Sequence, residues 1–264
     1  MNFADTVVVV TGASTGLGRA IAVGAATYGA KAVAINYASS RSEAEETGDL
    51  VRRAGAEPII VRGDVGEDGD CRKIVDTVSK FGHIDALFNN AGKTVHASDH
   101  ANLGKVGIDE FLSIYRVNVV GPYQMIRAAR GLLEASPRTG AVVNTASLAA
   151  VTGIGSSVPY AASKGALVTM TLSLARALAP KIRVNVICPG FIDTPWFGKI
   201  QSQESIDRMR AGVLRGTPLQ LASKPEDIAG AALFFASPAA RHITGETLMI
   251  DAGLHLGFAP IVAR

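Results

Sequence analysis

Seven short apolar runs, most of them rich in β-branched residues, recur along the chain and alternate with helical stretches from one end to the other. They are TVVVVTG at 6–12, AVAIN at 32–36, EPIIVRG at 57–63, IDALFNN at 84–90, GAVVNTAS at 140–147, IRVNVICPG at 182–190 and TLMIDAG at 247–253. Most are apolar at every position, which suits strands covered on both faces rather than strands with one wet face. Helical stretches near 16–29, 41–54, 67–81, 108–135, 157–179 and 225–236 lie between them. In the last, Ser223 can cap, Pro225 suits the first turn, and Glu226 and Asp227 suit the helix dipole. Strict β-α alternation with right-handed crossovers predicts an α/β, single-domain, Rossmann-type doubly wound fold. Its parallel sheet has seven strands and helices on both faces, spanning 1–264. Two segments break the rhythm: a polar insertion at 93–107 and a substrate lid at about 193–217. Both leave from carboxyl ends of strands, where open α/β sheets bind ligands.

Composition narrows the partners. With 48% apolar residues in 264, the chain can bury a large core. Its 26 basic and 23 acidic residues are scattered, and no Lys/Arg run interleaves with aromatics, so no nucleic-acid partner is expected. Cys71 and Cys188 are far apart and read as free core thiols. The opening MNFADTVVVV carries Asp5 and no basic region, and its apolar run is far too short for a signal peptide or membrane span. A cytoplasmic protein without membrane contact is expected.

The turn after the first run reads TGASTGLG, with Gly12, Gly16 and Gly18. Glycines at a strand-turn-helix junction let the backbone turn sharply and approach a pyrophosphate, which the helix's exposed amides then meet. Together with NNAG at 89–92, Asn118, Ser147, YAASK at 160–164 and the Pro189–Gly190 pair, this chain resembles the short-chain dehydrogenase/reductase family. Within it, the likeness is to the oligomeric branch with bacterial glucose dehydrogenases and 3-oxoacyl-carrier-protein reductases. The motifs follow the family's order from the first strand to the last.

The resemblance implies a dinucleotide groove. It would take in Gly12, Ser14, Thr15, Gly16, Leu17 and Gly18 of the turn, and Asn36, Tyr37, Ala38, Ser39, Ser40 and Arg41 after the second strand. Asp64 would hold the adenine amino group beside Val65, and Asn90, Ala91 and Gly92 would shape the wall at the adenosine ribose. Beyond Pro189 and Gly190, Ile192 and Thr194 would hold the nicotinamide carboxamide. Tyr160 and Lys164 would meet its ribose end. An acidic residue ending the second strand would accept from a ribose 2′-hydroxyl and repel a 2′-phosphate. Here stands uncharged Asn36, followed by Ser39, Ser40 and Arg41 as donors. NADP(H) is therefore the expected cofactor, with NAD(H) use left open.

Hydride transfer to a ketone builds negative charge on oxygen, so the site must supply a proton. Tyr160 carries a suitable hydroxyl, and Lys164 sits one helical turn on, where a cation favours the phenolate. Ser147 ends the fifth strand and can donate to the same substrate oxygen. Asn118, by resemblance, holds a water that completes a proton relay. The catalytic expectation is thus Asn118, Ser147, Tyr160 and Lys164. His96 and His100, with Asp99 between them, have helical metal-ligand spacing, but a polar loop is the better reading and no metal is expected.

Residues 148–154, Phe191, Trp196, Phe197 and Ile200 make a mostly apolar pocket, with Lys199 and Arg215 as basic lid candidates. An apolar ketone or secondary alcohol is the expected substrate. By resemblance, helices 108–135 and 157–179 form the interfaces of a homotetramer, and the tail LGFAPIVAR can pack at another. Two other readings stay open: an NAD-dependent dehydrogenase of a sugar, cyclic alcohol or dihydrodiol, and a non-catalytic dinucleotide sensor.

Overall fold

Alternate residues of the first strand leave the sheet in opposite directions, and both directions are buried. Val8 and Val10 join one apolar cluster and Val7 and Val9 the other. This is why the run is apolar at every position. The computed structural model describes residues 1–97, 99–194 and 202–257. In chain order its elements are β1 (Val7–Val10), α1 (Gly16–Thr27), β2 (Ala32–Tyr37), α2 (Arg41–Arg53), β3 (Glu57–Arg62), α3 (Asp68–Asp76) and β4 (Ala86–Asn89). Then follow α4 (Ile108–Tyr115), α5 (Gly121–Glu134), β5 (Gly140–Thr145), α6 (Ala149–Thr152), α7 (Val158–Leu178) and β6 (Ile182–Pro189). The chain continues through α8 (Gln203–Gly216) and α9 (Pro225–Ala236) to β7 (Thr247–Ile250).

The seven strands form one parallel sheet in the order β3-β2-β1-β4-β5-β6-β7. Leu17 and Ile21 of α1 pack with Ile228 and Leu233 of α9 on one face; Ile74 of α3, Met125 of α5 and Ala175 of α7 pack on the other. The strand order reverses between β1 and β4, which opens a crevice beyond their carboxyl ends.

Three local expectations change. The helix expected over 108–135 is divided: α4 ends at Tyr115, a π-turn spans Arg116–Val120, and α5 restarts with Pro122 in its first turn. Asn118 lies at the centre of that π-turn, buried, with its side chain bonded to Lys93. The helix expected over 67–81 ends at Asp76, and a single 3₁₀ turn at Ser79–Phe81 stops at the left-handed Gly82. Ser223 does not cap α9. Lys224 occupies the cap position and its N–H goes to the Asp227 carboxylate at 2.7 Å, while Ser223 gives its carbonyl to Asp193 N–H at 2.8 Å.

The turn after β7 carries a testable strain. Asp251 accepts from Gly253 N–H and His255 N–H, which forces the intervening Ala252 to φ +56°. A residue with a Cβ pays roughly 1–2 kcal/mol there, and glycine returns part of that as chain entropy. Ala252→Gly is therefore expected to raise stability by about 1 kcal/mol and Tm by about 2–4 °C, measured by thermal unfolding. An unchanged or lower Tm would show the turn to be unstrained.

Candidate active site

The glycine turn between β1 and α1 closes on the loop after β4. Gly12 has φ +61°, and a Cβ on it would stand 2.8 Å from Ala91 Cα; one on Gly18 would stand 2.3 Å from the Gly12 carbonyl. Asn90 locks this approach by donating from Nδ2 to the carbonyls of Thr11 and Gly12 at 3.1 and 3.0 Å. Its role is to hold the turn as well as to form a wall. Gly16, at φ +56°, faces the Thr194 side chain, so both ends of the crevice meet over the N-terminus of α1. A pyrophosphate cradle needs this kind of bare, close backbone, and the residues present fit a dinucleotide.

The crevice is a cleft of about 600 Å³. Its lining brings together every groove residue expected from the sequence except Gly18 and Arg41: Gly12, Ser14, Thr15, Gly16, Leu17, Asn36, Tyr37, Ala38, Ser39, Ser40, Asp64, Val65, Asn90, Ala91, Gly92, Pro189, Gly190, Ile192 and Thr194. Ser147, Tyr160 and Lys164 line it too, while Asn118 lies behind it. Two side chains near the second strand have partners within the protein. β2 ends at Tyr37, and the Asn36 side chain is buried, accepting from Gly12 N–H at 3.3 Å and donating to the Gly63 carbonyl at 2.9 Å. It braces the glycine turn from within the cleft lining. Arg41 is exposed and paired with Glu45 one turn along α2 at 2.8 Å, outside the cleft lining. Asp64 lines the cleft, with Oδ1 accepting from Gly66 N–H at 2.8 Å.

The candidate proton-handling groups sit where β5 and α7 converge. Ser157 caps α7 by accepting from Tyr160 N–H at 3.3 Å, which sets Tyr160 in the first turn and Lys164 one turn on. The Ser147 hydroxyl hydrogen-bonds to the Tyr160 hydroxyl. Behind it, Cys188 meets the backbone of Ser147, and burial pushes that thiol up. Lys164 is buried; its Nζ donates to the Thr145 carbonyl at 2.7 Å and lies 5.7 Å from the Tyr160 ring centre. The sequence reading has this ammonium lowering the phenol. In the structure burial dominates and holds Tyr160 above the usual tyrosine value, and only the Ser147 hydrogen bond pulls it down. Lys164 itself is pushed down to about 8 by burial. Asn118 is fully engaged through its side chain: it bonds Lys93 N–H and carbonyl at 2.8 and 2.9 Å and donates to Ser163 Oγ at 3.0 Å.

The insertion at 93–107 is pinned in front of Tyr160. Ala97 N–H donates to the Ser156 carbonyl at 2.7 Å, the hydroxyls of Thr94 and Ser156 meet, and His100 Nε2 lies 3.1 Å from the Gly155 carbonyl. On the lid side, Arg210 of α8 grips Asp193 with two bonds of 2.9 and 3.0 Å. Leu148 is buried, whereas Val151, Ile154 and Arg215 are exposed. Trp196, Phe197, Lys199 and Ile200 lie outside the described residues, as does the tail from 258 onward.

Sequence reasoning missed Lys93, Val117 and Thr145 on the cleft wall, and the brace formed by Arg19 and Thr47. Arg19 donates from Nε and Nη2 to the Ser14 carbonyl at 3.1 and 2.8 Å, and Thr47 adds a third bond at 2.9 Å. A cation in the first turn of a helix opposes the dipole, and that conflict was the available signal.

The family model described as Enoyl-(Acyl carrier protein) reductase matches residues 12–255. A Streptomyces violaceoruber protein named for ketoacyl reduction in the granaticin polyketide synthase is 38% identical over 251 residues, 95% of this chain and 96% of its own. Among solved structures, a Burkholderia xenovorans protein named as a short-chain dehydrogenase/reductase aligns with TM-score 0.86 and 42% identity, covering 96% of this chain and 99% of that one. A Brucella melitensis structure named as a glucose/ribitol dehydrogenase aligns with TM-score 0.83 and 30% identity over 96% and 99%. The parallel sheet, the glycine cradle and these matches agree: the chain belongs to the short-chain dehydrogenase/reductase family of NAD(P)-dependent oxidoreductases.

Proposed function

We propose that this protein is an NADP(H)-preferring oxidoreductase that interconverts a ketone and a secondary alcohol, with Tyr160 as the acid and base. The observation that carries this reading is the placement of Ser147, Tyr160 and Lys164 on one wall of the cleft that the glycine turn closes at its other end. A bound nicotinamide dinucleotide supplies the hydride in reduction and accepts it in oxidation. In reduction the Tyr160 hydroxyl gives its proton to the carbonyl oxygen as negative charge develops there. The Ser147 hydroxyl donates a hydrogen bond to that same oxygen. A phenol held above its ordinary pKa stays protonated at neutral pH, which favours this acid role. Lys164 then lies near enough to stabilise the phenolate, and a water at Asn118 completes the proton relay.

The buried Leu148 and the apolar Val151 and Ile154 support an apolar substrate under a lid at 193–217. The ketoacyl reductase named among the relatives supports the carbonyl direction. No carboxylate follows β2 before Glu43, which supports the phosphorylated cofactor. Exposed Leu112, Val120, Tyr123, Val158 and Leu172 on α4, the π-turn, α5 and α7 support a homotetramer, and buried free Cys71 and Cys188 suit the cytoplasm. No described helix is long and apolar enough to cross a membrane. The test is a panel of apolar ketones, sugars and carrier-type thioesters with NADPH and NADH, followed at the nicotinamide absorbance. kcat/KM is expected to favour NADPH by about tenfold or more. Preference for NADH, or activity confined to sugar acids or thioesters, overturns the respective part.

A further inference from the structure

We infer that Arg62, at the end of the edge strand β3, is the cation that receives a 2′-phosphate on the adenosine ribose. This rests on the NADP(H) reading and assigns its missing positive charge. The reasoning begins with register. Arg62 pairs with Tyr37, the last residue of β2, so its side chain leaves the sheet beside the segment where a ribose 2′-substituent would be judged. The guanidinium is brought over that segment by one bond, Nε to the Ala38 carbonyl at 3.2 Å. Ala38, Ser39 and Ser40 line the cleft.

Among the described residues neither Nη group of Arg62 has a partner, and the side chain is exposed. Both Nη groups of a planar cation anchored on Ala38, a residue of the cleft lining, are thus left over, the arrangement that binds phosphate in bidentate fashion. Ser40 stands at the cap position of α2 without a side-chain cap bond, so its hydroxyl is available beside them. The other cations nearby are engaged. Arg41 is paired with Glu45, and Arg19 is held by Ser14, Thr47, Glu43 and Glu46. The nearby acid Asp64 has one oxygen on Gly66 N–H and forms no ion pair with Arg62 among the described residues.

Calorimetry on the full-length protein with adenosine 2′,5′-bisphosphate and 5′-AMP tests this without any turnover. Wild type is expected to bind the bisphosphate more tightly. Arg62→Met should weaken the bisphosphate roughly 10- to 100-fold while moving 5′-AMP by less than about 2-fold, and Arg62→Lys should recover part of the loss. Arg41→Met should change neither ligand. Three results overturn the assignment. If both ligands weaken equally in Arg62→Met, the side chain stacks on adenine instead. If wild type prefers the bisphosphate and Arg62→Met keeps that preference, another group holds the phosphate and the NADP(H) reading survives. If wild type shows no preference, the cofactor reading itself fails and Arg62 with it.

Discussion

Tyr160→Phe is expected to lower kcat by about 10²- to 10⁴-fold while leaving dinucleotide affinity within a few-fold, because only the transferable proton is removed. The Tyr160 hydroxyl lies at the cleft wall in contact with the Ser147 hydroxyl, and the ring it leaves behind fills the same volume. The pH behaviour separates this from a packing defect. Burial raises the phenol above its ordinary value, so wild type presents the protonated acid across the neutral range. Ketone reduction should then be flat through neutrality and fall only in the alkaline range, as the phenol ionises. Alcohol oxidation needs the phenolate and should rise with pH over the same interval. Tyr160→Phe should abolish both limbs in the residual activity. A variant with wild-type turnover would remove Tyr160 from the chemistry, and so would one that keeps the two limbs.

That the fold was legible follows from its burial. β1 and β2 lie between two helical layers, so nearly every residue is apolar and the runs stand out against their surroundings. The site was legible for a related reason. Backbone demands at Gly12, where φ is +61° and Ala91 crowds the Cα, admit one residue type and leave a visible mark. What escaped depends on which of several equivalent partners a polar group chooses across the fold. Asn36 donates to the Gly63 carbonyl that β3 brings alongside, a partner 27 positions away that no local pattern announces. Arg41 and Arg62 are alike in sequence; a glutamate one turn away engages the first, and strand register aims the second. The π-turn at Asn118 was hidden because the partner its side chain engages there, Lys93, lies 25 positions away.

The same reasoning makes Lys164 a stability cost, and Lys164→Met should expose it. Lys164 is 3% exposed, and its ammonium donates to the Thr145 carbonyl. Burial takes its pKa from 10.5 to about 8, a shift worth about 3 kcal/mol against the folded state wherever the lysine is charged in both states. The sign is fixed by proton counting. Below about pH 8 folded and unfolded chains both hold the proton, and the full penalty applies. Between about 8 and 10.5 the unfolded chain holds more protons than the folded one, so wild-type stability climbs with pH. Methionine keeps the apolar stem and removes the charge, at the cost of leaving the Thr145 carbonyl without its donor, about 1–2 kcal/mol. Lys164→Met is thus expected to be about 1–2 kcal/mol more stable than wild type at pH 7 by urea unfolding. The margin should shrink or reverse at pH 9.5, and turnover should fall at least about 100-fold. Such a pairing of lost rate with gained stability is what a group held charged for chemistry, against its own solvation, must produce. A destabilised variant at pH 7, or a margin indifferent to pH, would mean that the ammonium is comfortable where it lies and is there for packing.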